Sequence, residues 1–156
     1  MLRKPIQTGN EIAPLVLRLT LGVVFFAHGS QKMLGWFGGY GFDATMGAFA
    51  KDMGIPAPFA FLAIAAEFFG GLGLILGLLT RVAAFGIAVT MVVAVVKVHG
   101  QFGLFMNWAG NQKGEGFEYH ALAIAIALAL MIAGGGAFSA DLFLARSLPP
   151  RRSPAA

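Results

Sequence analysis

The stretch APFAFLAIAAEFFGGLGLILGLLTRVAAFGIAVTMVVAVVKVH, residues 57–99, holds two apolar runs joined by one polar pair, Thr80–Arg81. A helix needs about 20 residues to cross a bilayer core, and residues 57–79 and 82–99 each come near that length. A linker this short leaves only a tight antiparallel hairpin. The run 82–99 is the shorter and is expected to stand nearly upright. Two further runs lie outside the hairpin, at about 13–34 and 117–137. Composition agrees: the 156 residues are 58% hydrophobic and 12% charged, against about 25% charged in soluble domains. Mean hydropathy is +0.77. A soluble domain of this size has too much surface to hide so much apolar matter. The expected fold is therefore all-α, a four-helix transmembrane bundle in the lipid bilayer. One domain spans residues 1–145, and the basic, proline-rich tail 146–156 is expected to be disordered.

The run 117–137 alternates alanine with larger residues from Ala121 to Leu130, a strand-like period. One strand cannot close a barrel, and lipid does not tolerate unpaired backbone. A helix kept narrow by alanine is the reading that survives. Arg3 and Lys4 precede the first run as in a signal peptide, but Arg18 interrupts it and no small-residue cleavage site follows. It is read as a retained span. The net charge of +4 does not point to nucleic acid, because the basic residues cluster at span ends. Arg3, Lys4, Arg81, Arg146, Arg151 and Arg152 fall on the side of the termini, Lys51 and Lys113 on the other. The positive-inside rule then puts both termini in the cytoplasm.

The first outer loop has a helical signature of its own. Asp43 is placed as N-cap, Gly54 as the residue past the C-terminus and Pro56 as the stop. Met46, Phe49, Ala50 and Met53 share one face, as in a short interfacial helix. Trp36, Tyr40, Trp108 and Tyr119 all map to the outer interface, as an aromatic belt would.

Ionisable residues within spans are costly and mark function by default. Arg18, His28, Lys32, Glu67, Lys97, His99, Glu118 and His120 lie in or at the edge of the spans. All but Arg18 and Glu67 map to the outer half, so a polar cluster opening to that side is expected. Glu67 lies about 15 Å into its span, with Arg18 as the expected partner and His28 as the alternative. Lys97 with His99, and Glu118 with His120, are two residues apart and point to different sides of a helix. Glu118 is the one expected to face inward, pairing with Lys97 or Lys32, with His120 against a neighbouring helix. Arg81, Gly73 and Gly77 are assigned structural roles, the glycines through close backbone contact. The bland alternatives are snorkelling of Lys32, Lys97 and His99 to the interface and a purely structural Arg18–Glu67 pair.

The segments LVLRLTLGVVFFAHGSQKM (15–33), AEFFGGLGLILGLLTRVAA (66–84), His99 and EYHALAIAIALALMIAGGGAFSAD (118–141) together resemble the DoxX family of small four-span membrane proteins. The resemblance covers about residues 13–145. It implies Arg18, His28, Lys32, Glu67 and Arg81 as family hallmarks without assigned roles. The family name derives from a subunit of a thiosulfate:quinone oxidoreductase, so the resemblance implies a redox role by association.

Three functions suit these residues. The first is the membrane subunit of a quinone-linked redox system. With no cysteine, thiol chemistry, iron–sulfur clusters and Cys-ligated metal are excluded, no metal site is expected, and a partner redox protein must deliver electrons. A quinone would bind at His28, Lys32, Glu67 and Glu118. Haem on two of the three histidines is disfavoured, since only His28 lies well below the interface. The second is a small-solute or proton transporter, working as a homodimer joined through the glycine-rich helix. The third is a non-enzymatic assembly factor or anchor.

Overall fold

The computed structural model describes residues 6–147. Helix α1 runs Ile12–Leu34 and is followed by a single 3-10 turn, Trp36–Gly38. Helix α2 (Phe42–Lys51) lies in the first loop, and α3 (Ala57–Leu76) and α4 (Thr80–Ala94) form the hairpin. The helical path of α4 continues through a π turn, Val95–His99, and a 3-10 turn, Gly100–Phe102. Helix α5 spans Glu118–Ala133, and a short α6 covers Ala140–Ser147. No strand occurs among the described residues. The fold is a helical membrane bundle in which α1, α3 and the extended α4 are long and apolar enough to cross a bilayer, with α5 shorter.

Neighbours in sequence are neighbours in space. α1 packs most extensively on α3, α3 on α4 and α4 on α5, and a thinner α1–α5 contact closes the ring. The core gathers Leu21 and Phe25 from α1, Leu74 from α3, Ile87 and Met91 from α4 and Ala123, Ala127 and Leu130 from α5. The strand-like alternation in α5 thus resolves at helical spacing. Ala123, Ala127 and Leu130 turn inward, while Leu122, Leu128 and Ile132 are exposed.

The α1–α3 contact depends on glycine. A Cβ on Gly29 would lie 2.7 Å from the Glu67 carbonyl carbon, and one on Gly71 would lie 2.7 Å from Phe26 Cα. Side chains cannot fit there, so the backbones approach as they do at small-residue interfaces in membranes. Gly73 and Gly77 make their contacts outside the α1–α3 seam, a Cβ on Gly77 falling 2.7 Å from Ser139 Cα. Gly77 is the left-handed residue that ends α3, with φ 66°, and Gly73 faces Leu78 and Ala83 at the hairpin turn. The tightest glycine contacts of α3, at Gly71 and Gly77, are thus made within the bundle, while Gly70 and Gly73 line its cavity.

Several boundaries differ from those read in the sequence. The third span is not short, because the π and 3-10 turns extend it to Phe102. The fourth stops at Ala133, where Gly134 and Gly136 adopt left-handed φ of 82° and 69° and fold the chain back into the bundle end. In α2, Gly41 rather than Asp43 precedes the helix, and no side chain caps it. Its inward face carries Thr45, Met46 and Phe49, whereas Ala50 is exposed. The start of the predicted tail, through Ser147, belongs to α6, and residues 148–156 lie outside the described residues.

Candidate functional site

Polar groups are buried at both ends of the bundle. At the end where α1 begins and α3 finishes, Arg18 is 1% exposed. It does not meet Glu67. The α1–α3 register sets Gly29 beside Glu67, eleven residues or about 16 Å along the helix from Arg18, beyond the reach of an arginine. All of its recorded bonds go to main-chain carbonyls: Nε to Gly135 (2.9 Å), Nη1 to Leu74 and Ile75 (3.0 and 2.6 Å), and Nη2 to Ala137 and Phe138 (3.2 and 3.0 Å). Five donors meet five acceptors, which uses the whole fork of the guanidinium.

Asp141 answers it with the opposite sign. Its carboxylate accepts the Leu79 and Thr80 N–H groups at 2.7 and 2.9 Å. It thereby caps α4 from another helix, satisfying donors that a helix N-terminus leaves open. Leu79 is held there in a left-handed conformation, φ 49°. Arg81 donates to the Met131, Ile132 and Gln7 carbonyls, closing the end of α5. Asp141 escaped the sequence reading. Its signal was an acid in the first turn of a short helix placed after a glycine run.

The other end is built differently. A cavity of about 1230 Å³ runs along α3 and α4, from Leu78 and Val82 near the hairpin turn to Lys97 and His99 near the loops. Its walls are apolar for most of that length, with Phe59, Phe69, Phe85, Val89 and Val93 also exposed at the surface. Polar groups gather at the loop end: His28, Lys32, Glu67, Lys97, His99, Glu115, Tyr119 and His120. Six of the eight residues singled out in the sequence meet here. Arg18 lies at the opposite end, and Glu118 does not line the cavity.

Lys32 is the partner of Glu67, its Nζ bonded to Oε2. The acid is almost buried and the amine about one-quarter exposed. Glu118 pairs with neither lysine. Its Oε2 accepts the Met106 N–H at 3.2 Å, while Glu115 Oε2 accepts that of Asn107 at 2.7 Å, so both acids hold the loop before α5. His120, expected against a neighbouring helix, is buried with its ring centroid 4.0 Å from that of His99. Lys97 and His99 both line the cavity despite their spacing, because the π turn widens the helix between them. Tyr119 is no belt residue. Its ring lies 5.4 Å from His120, 6.3 Å from His28 and 6.3 Å from Phe25.

The buried Tyr119 Oη and His120 Nδ1 have no hydrogen-bond partner among the described residues. Such atoms cost about 1–3 kcal/mol each, and both lie on residues lining the cavity. Ser30 Oγ, Thr80 Oγ1 and Arg81 Nε share that state, on residues outside the cavity lining.

The DoxX family model matches residues 13–100, more than half of the chain. The chain belongs to the DoxX family. It is 32% identical over 120 residues to "Putative oxidoreductase CatD" of Bacillus subtilis (strain 168), covering 77% of this chain and 79% of that protein. No solved structure matches the chain. The DoxX match contains the cavity walls supplied by α1, α3 and α4, together with Arg18 and Arg81. It ends before Glu118, Tyr119, His120 and Asp141, so the α5 wall of the site lies outside the matched region.

Proposed function

We propose that this chain is the membrane subunit of a quinone-linked redox system in a bacterial or archaeal inner membrane, with both termini cytoplasmic. The observation that carries the reading is the long apolar cavity that ends in hydrogen-bonding groups without partners. It suits an amphiphile with a flat polar head and a long apolar tail. Tyr119 Oη and His120 Nδ1 supply open hydrogen-bonding sites of the kind a carbonyl-bearing head requires. The apolar walls over α3 and α4 suit the tail, and their surface-exposed side chains suit entry from the lipid. A quinone, when bound, supplies two-electron, two-proton chemistry. The chain's own part is to orient the head group, exclude water along the tail and hold protons at His28, His99, His120 and the Lys32–Glu67 pair. The name of the Bacillus subtilis relative supports an oxidoreductase setting. With no cysteine in the chain, electrons are assigned to a partner oxidoreductase.

Purification in mild detergent, followed by mass spectrometry of extracted lipids and bound protein, tests this. A stoichiometric quinone is expected in the wild type and is expected to be lost in Glu67→Gln and His28→Ala. A quinone-free protein arriving with one constant protein partner would instead make the chain an anchor or assembly factor. pH-driven solute uptake by vesicles would make it a transporter.

A further inference from the structure

Three features converge on His99. The π turn Val95–His99 brings its side chain onto the cavity beside Lys97. Its Nδ1 lies 2.8 Å from the Glu115 main-chain carbonyl, an acceptor only, so Nδ1 carries the hydrogen and Nε2 is left as the proton-accepting atom. Its ring is only partly buried and lies against the buried ring of His120, the two tilted by 37°. From His120 the line of polar rings continues inward to Tyr119 and then His28.

We propose that the His99–His120 pair is the proton inlet of this site, connecting solvent at the loop end with the buried polar cluster. A proton taken up at His99 Nε2 leaves from the same nitrogen and passes to His120. The N–H bond broken at His99 Nε2 is formed at a ring nitrogen of His120, so His99 returns to neutrality and His120 becomes the imidazolium, until a ligand bound in the cluster accepts that proton or it returns by the same route. A water in the polar mouth of the cavity, which both rings line, would bridge them. Two imidazolium ions this close repel each other, so the pair carries one proton at a time. The charged and titratable groups around it are His28 and Lys32 from α1, Glu67 from α3, Lys97 from α4, Tyr119 from α5, and Glu115 and Glu118 around the loop and α5. Glu67 is neutralised by Lys32, and Glu118 faces the loop backbone, so neither holds the pair permanently charged. The inference rests on the reading of this cluster as a proton-exchanging ligand site, but its test needs no ligand.

The chain has three histidines, which allows each ring to be followed separately. The experiment is nitrogen-15 NMR of histidine-labelled protein in quinone-free bilayers, read as ring proton exchange at His120 while bulk pH is varied. His99→Asn keeps a donor for the Glu115 carbonyl but cannot carry the proton. It is expected to slow exchange at His120 by about a hundredfold, the low end for a positioned proton-transfer group. Exchange at His28 is expected to slow with it, and unchanged backbone spectra show that the variant is folded. Phenylalanine at the same position, His99→Phe, gives a second reading should asparagine disturb the loop. Unchanged exchange at His120 in folded His99→Asn or His99→Phe would overturn the proposal. So would a His120 ring that ignores bulk pH in the wild type. Either result would leave quinone retention by the purified protein as a separate matter.

Discussion

Arg18 near one end of the bundle and Glu67 toward the other are both almost wholly buried, at 1% and 4% exposure, yet their partners differ in kind. Arg18 spends every donor on main-chain carbonyls, and Asp141 nearby spends both oxygens on main-chain N–H groups. Those bonds tie together the ends of helices, and no ligand can compete for them. Among the described residues, Glu67 has a single side-chain partner, Lys32, and the rings of Tyr119 and His120 nearby keep polar atoms without any. The first arrangement suits a joint that must not move. The second suits a surface that accepts something else. Burial alone therefore does not separate a structural charge from a binding one; the identity of the partner does.

That contrast breaks if substitutions at the two ends behave alike. Arg18→Met is expected to cost most, about 5 kcal/mol or more, because it removes all five of the guanidinium's bonds to main-chain carbonyls, at about 1–3 kcal/mol for each acceptor left buried without a partner. Thermal unfolding in detergent should show it, with little folded protein recovered. Asp141→Ala follows, at about 2–4 kcal/mol, through loss of the two bonds that cap α4 and hold Leu79. Lys32→Met is expected to cost about 3 kcal/mol by leaving the Glu67 carboxylate alone. Adding Glu67→Gln to it should restore most of that loss, a recovery no second change near Arg18 can give. Tyr119→Phe is the smallest and the sharpest. Since Tyr119 Oη has no partner among the described residues, its removal is expected to leave stability unchanged or raise it by about 1 kcal/mol, while quinone retention falls. Loss of stability in Tyr119→Phe comparable to that in Asp141→Ala would erase the distinction between the ends.

Much of the frame was legible in the chain itself. Hydropathy located all four apolar helices, and the polar break read at Thr80–Arg81 led to the α3–α4 hairpin, although the turn itself is residues 77–79 and both polar residues begin α4. The composition of the cluster was largely legible as well, because ionisable residues in apolar helices stand out. Pairing was not. Arg18 was matched to Glu67 because both were buried and opposite in charge. The register that separates them is set by Gly29 and Gly71, where the two backbones meet, and hydropathy carries no information on relative height. Lys97 and His99 were assigned to different sides on regular helical geometry, which the π turn suspends. Glu118 looked like an inward acid until the loop claimed it. Asp141 was passed over because its partners are backbone groups of another helix, invisible to any pattern along one segment.

The shortness of α5 has a consequence for the surrounding lipid. Its 16 residues rise about 24 Å, against about 34 Å for the 23 of α1, while Leu122, Leu128 and Ile132 face outward along it. Acyl chains on that flank meet a belt thinner than a typical bilayer of about 30 Å, and those against α1 meet a thicker one. The protein therefore imposes a gradient of bilayer thickness around its own perimeter, pinched behind α5 and full-height at α1. Its neighbours in the plane of the membrane will meet different mismatch energies according to the side from which they approach.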